Sequence, residues 1–145
     1  MRPSAFRLRV LSRRDSRVLL VETDHAMAEM YKLSLRLRGF AVDVARDGEE
    51  GIQRVLHGTL PDAVVLDLGL PRIHQVPRKD GLDMISTLRA LRLTQAVPVV
   101  VLSNDPESFE DAIDRGATEC IANWRTTPRD LATKVGDLLG QSDAS

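Results

Sequence analysis

The chain reads as a doubly wound α/β sandwich, a parallel five-stranded sheet with helices on both faces. Three observations predict this. Short apolar runs alternate with amphipathic segments from residue 17 onward. Three of the runs (VLLV, AVVL and VVVL) are almost wholly apolar, as strands covered on both sides must be. The length of 145 residues, 43% of them hydrophobic, suits one compact domain rather than two.

Strands are expected at Arg17 to Val21, Ala41 to Ala45, Ala63 to Leu66, Pro98 to Leu102 and Thr118 to Ala122. Between the first two, Ala26, Met30, Leu33 and Leu37 recur at 4, 3, 4 spacing, which predicts a helix with that face inward and Gly39 as its stop. The second helix starts at Asp47 with Glu50 as a capping box, buries Ile52, Val55 and Leu56, and stops at Gly58. A third spans about Leu82 to Leu91. The fourth opens on Asp105 and Pro106 and sets Phe109, Ala112 and Ile113 on one face. The fifth begins near Thr127 and Pro128 and buries Leu131, Val135 and Leu138. Five βα units with right-handed crossovers lead to the flavodoxin-like strand order 2-1-3-4-5.

Charge divides the chain. Residues 1–17 hold six Arg and one Asp, net +5, whereas the remainder is net −6. Residues 1–16 therefore read as a flexible Arg-rich extension, 17–140 as the folded domain and 141–145 as a tail. With only Gln141 to Ser145 after the last helix, no dedicated DNA-binding domain is expected. No apolar stretch is long enough to span a membrane, and the N-terminus lacks the apolar core of a signal peptide, so a cytoplasmic protein with no membrane partner is expected. The single cysteine, Cys120, excludes an internal disulfide or a thiolate metal cluster, and His25, His57 and His74 have no zinc spacing.

In such sheets ligands sit beyond the carboxyl ends of the strands. There the sequence places Glu22, Thr23 and Asp24, then Asp67, then Ser103 and Asn104, then Asn123. Each alone could be a helix cap. Asp67, however, directly follows the apolar run AVVL in a central strand, where an unpaired carboxylate is costly to desolvate, and this favours a functional acid.

From residue 17 to 140 the sequence resembles the receiver domain of two-component response regulators. The resemblance rests on LLVET, VVLDLGLP around Asp67, DGLDMI, PVVVLSN and GATECIAN, in that order and spacing. It implies that Asp67 accepts a phosphoryl group from a histidine kinase and that the hydroxyl of Ser103 binds a phosphoryl oxygen. It implies as well that Mg²⁺ is held by Glu22, Asp67 and the backbone carbonyl of Gly69. Three positions depart from the family. Thr23 stands where a second acid is usual, Asn123 and Trp124 stand where Lys-Pro is usual, and Cys120 stands where the switch aromatic is usual. Weakened Mg²⁺ binding and a slow or silent receiver are expected.

Between Pro71 and Asp80 lie eight residues, Arg72 to Lys79, where the family has about two. Arg72 or Arg78 could clamp a phosphoryl group bidentately, or the segment could be a tolerated surface insertion. Cys120 reads as a small core residue. Trp124 either packs in place of the absent proline or anchors a partner. Two functions follow: a phosphoacceptor with a modified switch at Asp67, or a phosphorylation-independent pseudo-receiver that binds a signalling protein or a second copy of itself. An enzyme on the same fold is disfavoured, since no Walker loop, dinucleotide fingerprint or nucleophile elbow is present.

Overall fold

A computed structural model describes residues 16–69 and 75–141, with side chains of 75–79 excepted. Five parallel strands, β1 (Arg17–Val21), β2 (Ala41–Ala45), β3 (Ala63–Asp67), β4 (Val99–Ser103) and β5 (Glu119–Ala122), form one sheet in the order 2-1-3-4-5. The helices are α1 (His25–Leu37), α2 (Gly48–His57), α3 (Gln75–Ala90), α4 (Pro106–Arg115) and α5 (Pro128–Leu138). A single 3₁₀ turn, Asn123–Arg125, follows β5. Both the predicted fold and its strand order are observed. No described helix is long and apolar enough to cross a membrane.

Alternation along the strands sorts their side chains into two cores. Val18, Leu20, Val65, Val100 and Leu102 face α1 and α5, where they meet Tyr31, Leu35, Leu131 and Val135. Leu19, Val21, Val64, Leu66 and Val101 face the other way, against Val55, Ile85, Leu88 and Ala112 of α2, α3 and α4. The central strands β1, β3 and β4 are thus buried on both faces, as their unbroken apolar runs require.

Local chemistry sets the helix starts. Asp24 accepts from the Met27 amide at 2.9 Å, so it caps α1 as its position after Thr23 suggests. Asp47 accepts from the Glu50 amide at 2.8 Å, while Glu50 itself reaches the Arg46 amide rather than that of Asp47. A complete capping box occurs instead at Thr127 and Asp130, with Pro128 opening α5.

Three expectations are corrected. The buried face of α1 is Ala28, Tyr31 and Leu35, and the predicted face of Ala26, Met30, Leu33 and Leu37 is exposed. The helix has two apolar stripes and packs the one that carries its large aromatic. Leu56 and Ile113 are likewise exposed, because Gly51 and Ser108 let α2 and α4 approach the core through their smaller side chains. Finally, α3 begins at Gln75, so more than half of the Arg72 to Lys79 insertion is helix. Pro77 falls in the first turn, where an amide has no intrahelical partner to lose. The Arg-rich N-terminal segment through residue 15, Arg72 and the side chain of Arg78 lie outside the described residues.

Candidate functional site

Glu22 directly follows β1 and Asp67 ends the adjacent β3, and both follow the residue parity that faces α1 and α5. Asp67 is half-buried. Its Oδ1 accepts from the Gly69 amide at 2.7 Å, a turn closed by the left-handed φ of +75° at Gly69, which favours glycine. Its Oδ2 accepts from Nδ2 of Asn123 at 3.2 Å. The side chain that meets this oxygen is therefore a neutral amide rather than a cation.

Asn123 is itself held. The Tyr31 hydroxyl donates to Asn123 Oδ1 at 2.9 Å, which leaves the amide nitrogen to face Asp67. The opposite amide orientation would set a carbonyl against a carboxylate, so the relay Tyr31 to Asn123 to Asp67 has one sensible direction. Burial raises the Tyr31 phenol well above its ordinary pKa, and the charges of Asp67 and Glu22 add to the shift, so it stays a donor. Tyr31 is a site residue that sequence reasoning misses. It lies 92 residues from Asn123 in a helix whose other apolar stripe is the more regular of the two.

Glu22 is 5% exposed and lies against the Asp67 carboxyl. One oxygen accepts from the Asp24 amide at 3.0 Å; the other, Oε1, is buried with no donor. Desolvation first, then the hydrogen bond and charge of Asp67, push its pKa up to about 9. Two carboxyl groups in contact need a proton or a cation between them, and the orphaned oxygen fits a hard divalent ion. Beside Glu22, the Thr23 hydroxyl donates to the Arg46 carbonyl at 3.1 Å and so turns away from the two acids. Among the described residues no group of three His, Cys, Asp or Glu could hold a metal. Any ion here has two protein carboxylates and must draw its remaining ligands from carbonyl and water oxygens.

Ser103 is buried one residue beyond Leu102, the β4 partner of Asp67. Its Oγ accepts from the Asp105 amide at 3.0 Å and thereby helps to open α4. Cys120 is half-buried against the core of α2, α3 and α4, with its thiol directed at the Phe109 carbonyl at 3.7 Å. Burial raises its pKa, as for a packing residue rather than a reactive thiolate. Trp124 is 71% exposed with the Arg125 guanidinium 5.2 Å from its ring centre. That exposure removes a core-packing role. A shallow hollow of about 460 Å³ beside β1, β2 and α2, lined by Arg17, Asp43, Glu50 and His57 among others, includes none of the strand-end acids.

Known proteins match the sequence and the fold. The family model described as "Response regulator receiver domain" covers residues 18–135. The chain is 31% identical over 129 residues, 88% of its length, to the DNA-binding response regulator MtrA of Mycolicibacterium paratuberculosis. It is 36% identical over 107 residues to the response regulator MprA of a Mycobacterium species, covering 72% of this chain and 43% of that one. It spans about half the length of these curated relatives. Among solved structures, a putative response regulator from Chloroflexus aurantiacus superposes with a TM-score of 0.73 at 30% identity, covering 88% of this chain and 99% of that one. With the strand order, the strand-end acids and the buried hydroxyl of β4, these matches place the chain in the response regulator receiver domain family of two-component signalling.

Proposed function

We propose that this chain is an atypical receiver whose phosphoacceptor is Asp67 and whose phosphoryl pocket works with neutral donors in place of the usual lysine. The observation that carries the reading is the double hold on Asp67, Gly69 N–H on one carboxylate oxygen and the Tyr31-anchored amide of Asn123 on the other. A carboxylate fixed at the open end of a central strand is oriented for attack. In the step, an Asp67 oxygen bonds to phosphorus as the bond to the donor's leaving group breaks, and the leaving group departs with the electron pair. The Asn123 amide and the Ser103 hydroxyl then serve as donors to phosphoryl oxygens.

Glu22 and Asp67 would hold Mg²⁺, with the Gly69 carbonyl as a further ligand, and the bound ion would supply positive charge to the transferring group. With Thr23 turned toward Arg46, that binding is weaker than three acids would give. Loss of a lysine contact worth ~3 kcal/mol slows transfer by roughly two orders of magnitude. Arg72 or Arg78 from the insertion could return part of that charge. The phosphodonor partner is a histidine kinase, and the protein acts in the cytoplasm.

A second reading, a pseudo-receiver that signals through binding alone, is favoured by the same amide. Asn123 already engages the Asp67 oxygen, and among the described residues no Lys or Arg forms an ion pair with Asp67. Incubating the protein with Mg²⁺ and acetyl phosphate, then measuring intact mass beside Asp67→Ala, separates the two. A gain of one phosphoryl group absent from the control supports the phosphoacceptor. No gain under conditions that modify an ordinary receiver leaves the pseudo-receiver.

A further inference from the structure

Helix α1 carries one more apolar face than the fold uses. At 100° per residue, Ala26, Met30, Leu33 and Leu37 share a stripe almost opposite the buried Ala28, Tyr31 and Leu35. Met30, Leu33 and Leu37 are 49%, 59% and 77% exposed. Scattered exposed leucines need no explanation, but these four apolar residues have the 4, 3, 4 spacing of a helix-pairing seam. Glu29 and Arg36, seven residues apart, flank the stripe on one side, and both are exposed.

We infer that this stripe is the contact face of a symmetric dimer in which α1 packs antiparallel against α1 of a second copy. Antiparallel packing about a two-fold axis between positions 31 and 32 layers Met30 on Leu33 of the second copy and Ala26 on Leu37 of the second copy. It also sets Glu29 beside Arg36 of the second copy, twice over by symmetry. A parallel pairing puts Glu29 opposite Ser34 of the second copy and forms no ion pair, so the charges select the antiparallel form. The Glu29 to Lys32 contact at 3.7 Å within the helix is exposed and leaves the other carboxylate oxygen available. A helix of 13 residues is about 20 Å long, and a seam of that length falls among small, reversible interfaces. This surface makes no use of Asp67, so the dimer is independent of phosphorylation.

Sedimentation equilibrium of the full chain, from micromolar to near-millimolar concentration, tests the inference. A reversible dimer is expected, abolished in this range by Leu33→Glu and weakened roughly tenfold by Glu29→Arg, which turns two attractive pairs into repulsive ones. The double variant Glu29→Arg, Arg36→Glu should return the dissociation constant to near the original, and Asp67→Ala should leave it unchanged. Circular dichroism of each variant checks that the fold is kept. A chain that stays monomeric throughout, or a dimer indifferent to Leu33→Glu, overturns the proposal. A Glu29→Arg defect that Arg36→Glu fails to rescue overturns it as well, since any partner other than a second α1 predicts no such rescue.

Discussion

Beside Asp67, a buried acid and a neutral amide each make a measurable claim. Glu22 binds a proton in the folded state up to about pH 9, whereas its unfolded value is 4.5. Its share of stability is therefore complete below 4.5, declines as pH rises, and is lost by about 9, at up to about 1.4 kcal/mol per pH unit. Glu22→Gln keeps the shape and removes the titration, so in a chelator this variant should be the more stable at pH 8 and should flatten the pH dependence. Thermal melts across pH 5 to 9 read this directly; parallel curves for the two proteins would show that Glu22 carries no such burden. Asn123→Lys places a charge where a neutral side-chain amide faces Asp67. Labelling by acetyl phosphate should accelerate, by about tenfold to a hundredfold. An unchanged rate would mean that the amide is not what limits the chemistry.

Among the elements, α1 shows why strand-end chemistry is more legible than helix orientation. Glu22, Asp67, Ser103 and Asn123 can be placed from the sequence because apolar runs in a parallel sheet locate their own ends. The face of α1 cannot, since two apolar stripes compete and only tertiary contact chooses between them, and with the wrong stripe inward Tyr31 disappears from the site. Leu35→Ala should cost about 3 kcal/mol and Leu33→Ala less than about 0.5 kcal/mol, because the first is 0% and the second 59% exposed. Equal urea midpoints for the two variants would contradict the packing. Long-range ties are also hidden from sequence. Arg89, at the end of α3, donates to the carbonyls of Gly116, Thr94, Gln95 and Val97, with Nη2 3.4 Å from the Thr118 hydroxyl. One planar guanidinium thus fixes the loops entering β4 and β5, although burial lowers its pKa. Arg89→Ala should cost about 2–3 kcal/mol by urea denaturation, and Arg89→Lys should recover little of it, because an ammonium cannot fork across four carbonyls.

For the molecule as a whole, one sheet serves two separate cores, and the site sits where that sheet ends. Val64 and Val65 are neighbours on β3, yet Val65 packs under α1 and α5 while Val64 packs under α2, α3 and α4. If the sheet couples the cores into one cooperative unit, damage on either face must be felt on both. Val64→Ala and Val65→Ala should each cost roughly 2 kcal/mol by the methyl groups removed. In hydrogen exchange, each variant should lower the protection of the slowest amides in α1 and in α3 by the same amount, whichever core was cut. A loss confined to α1 and α5 for Val65→Ala, and to the opposite helices for Val64→Ala, would instead show two cores that open independently. The first outcome means that the relay from Tyr31 through Asn123 to Asp67 is anchored by the whole fold. The second would leave it resting on one face alone, where loosening of α1 would release the acceptor carboxylate without unfolding the rest.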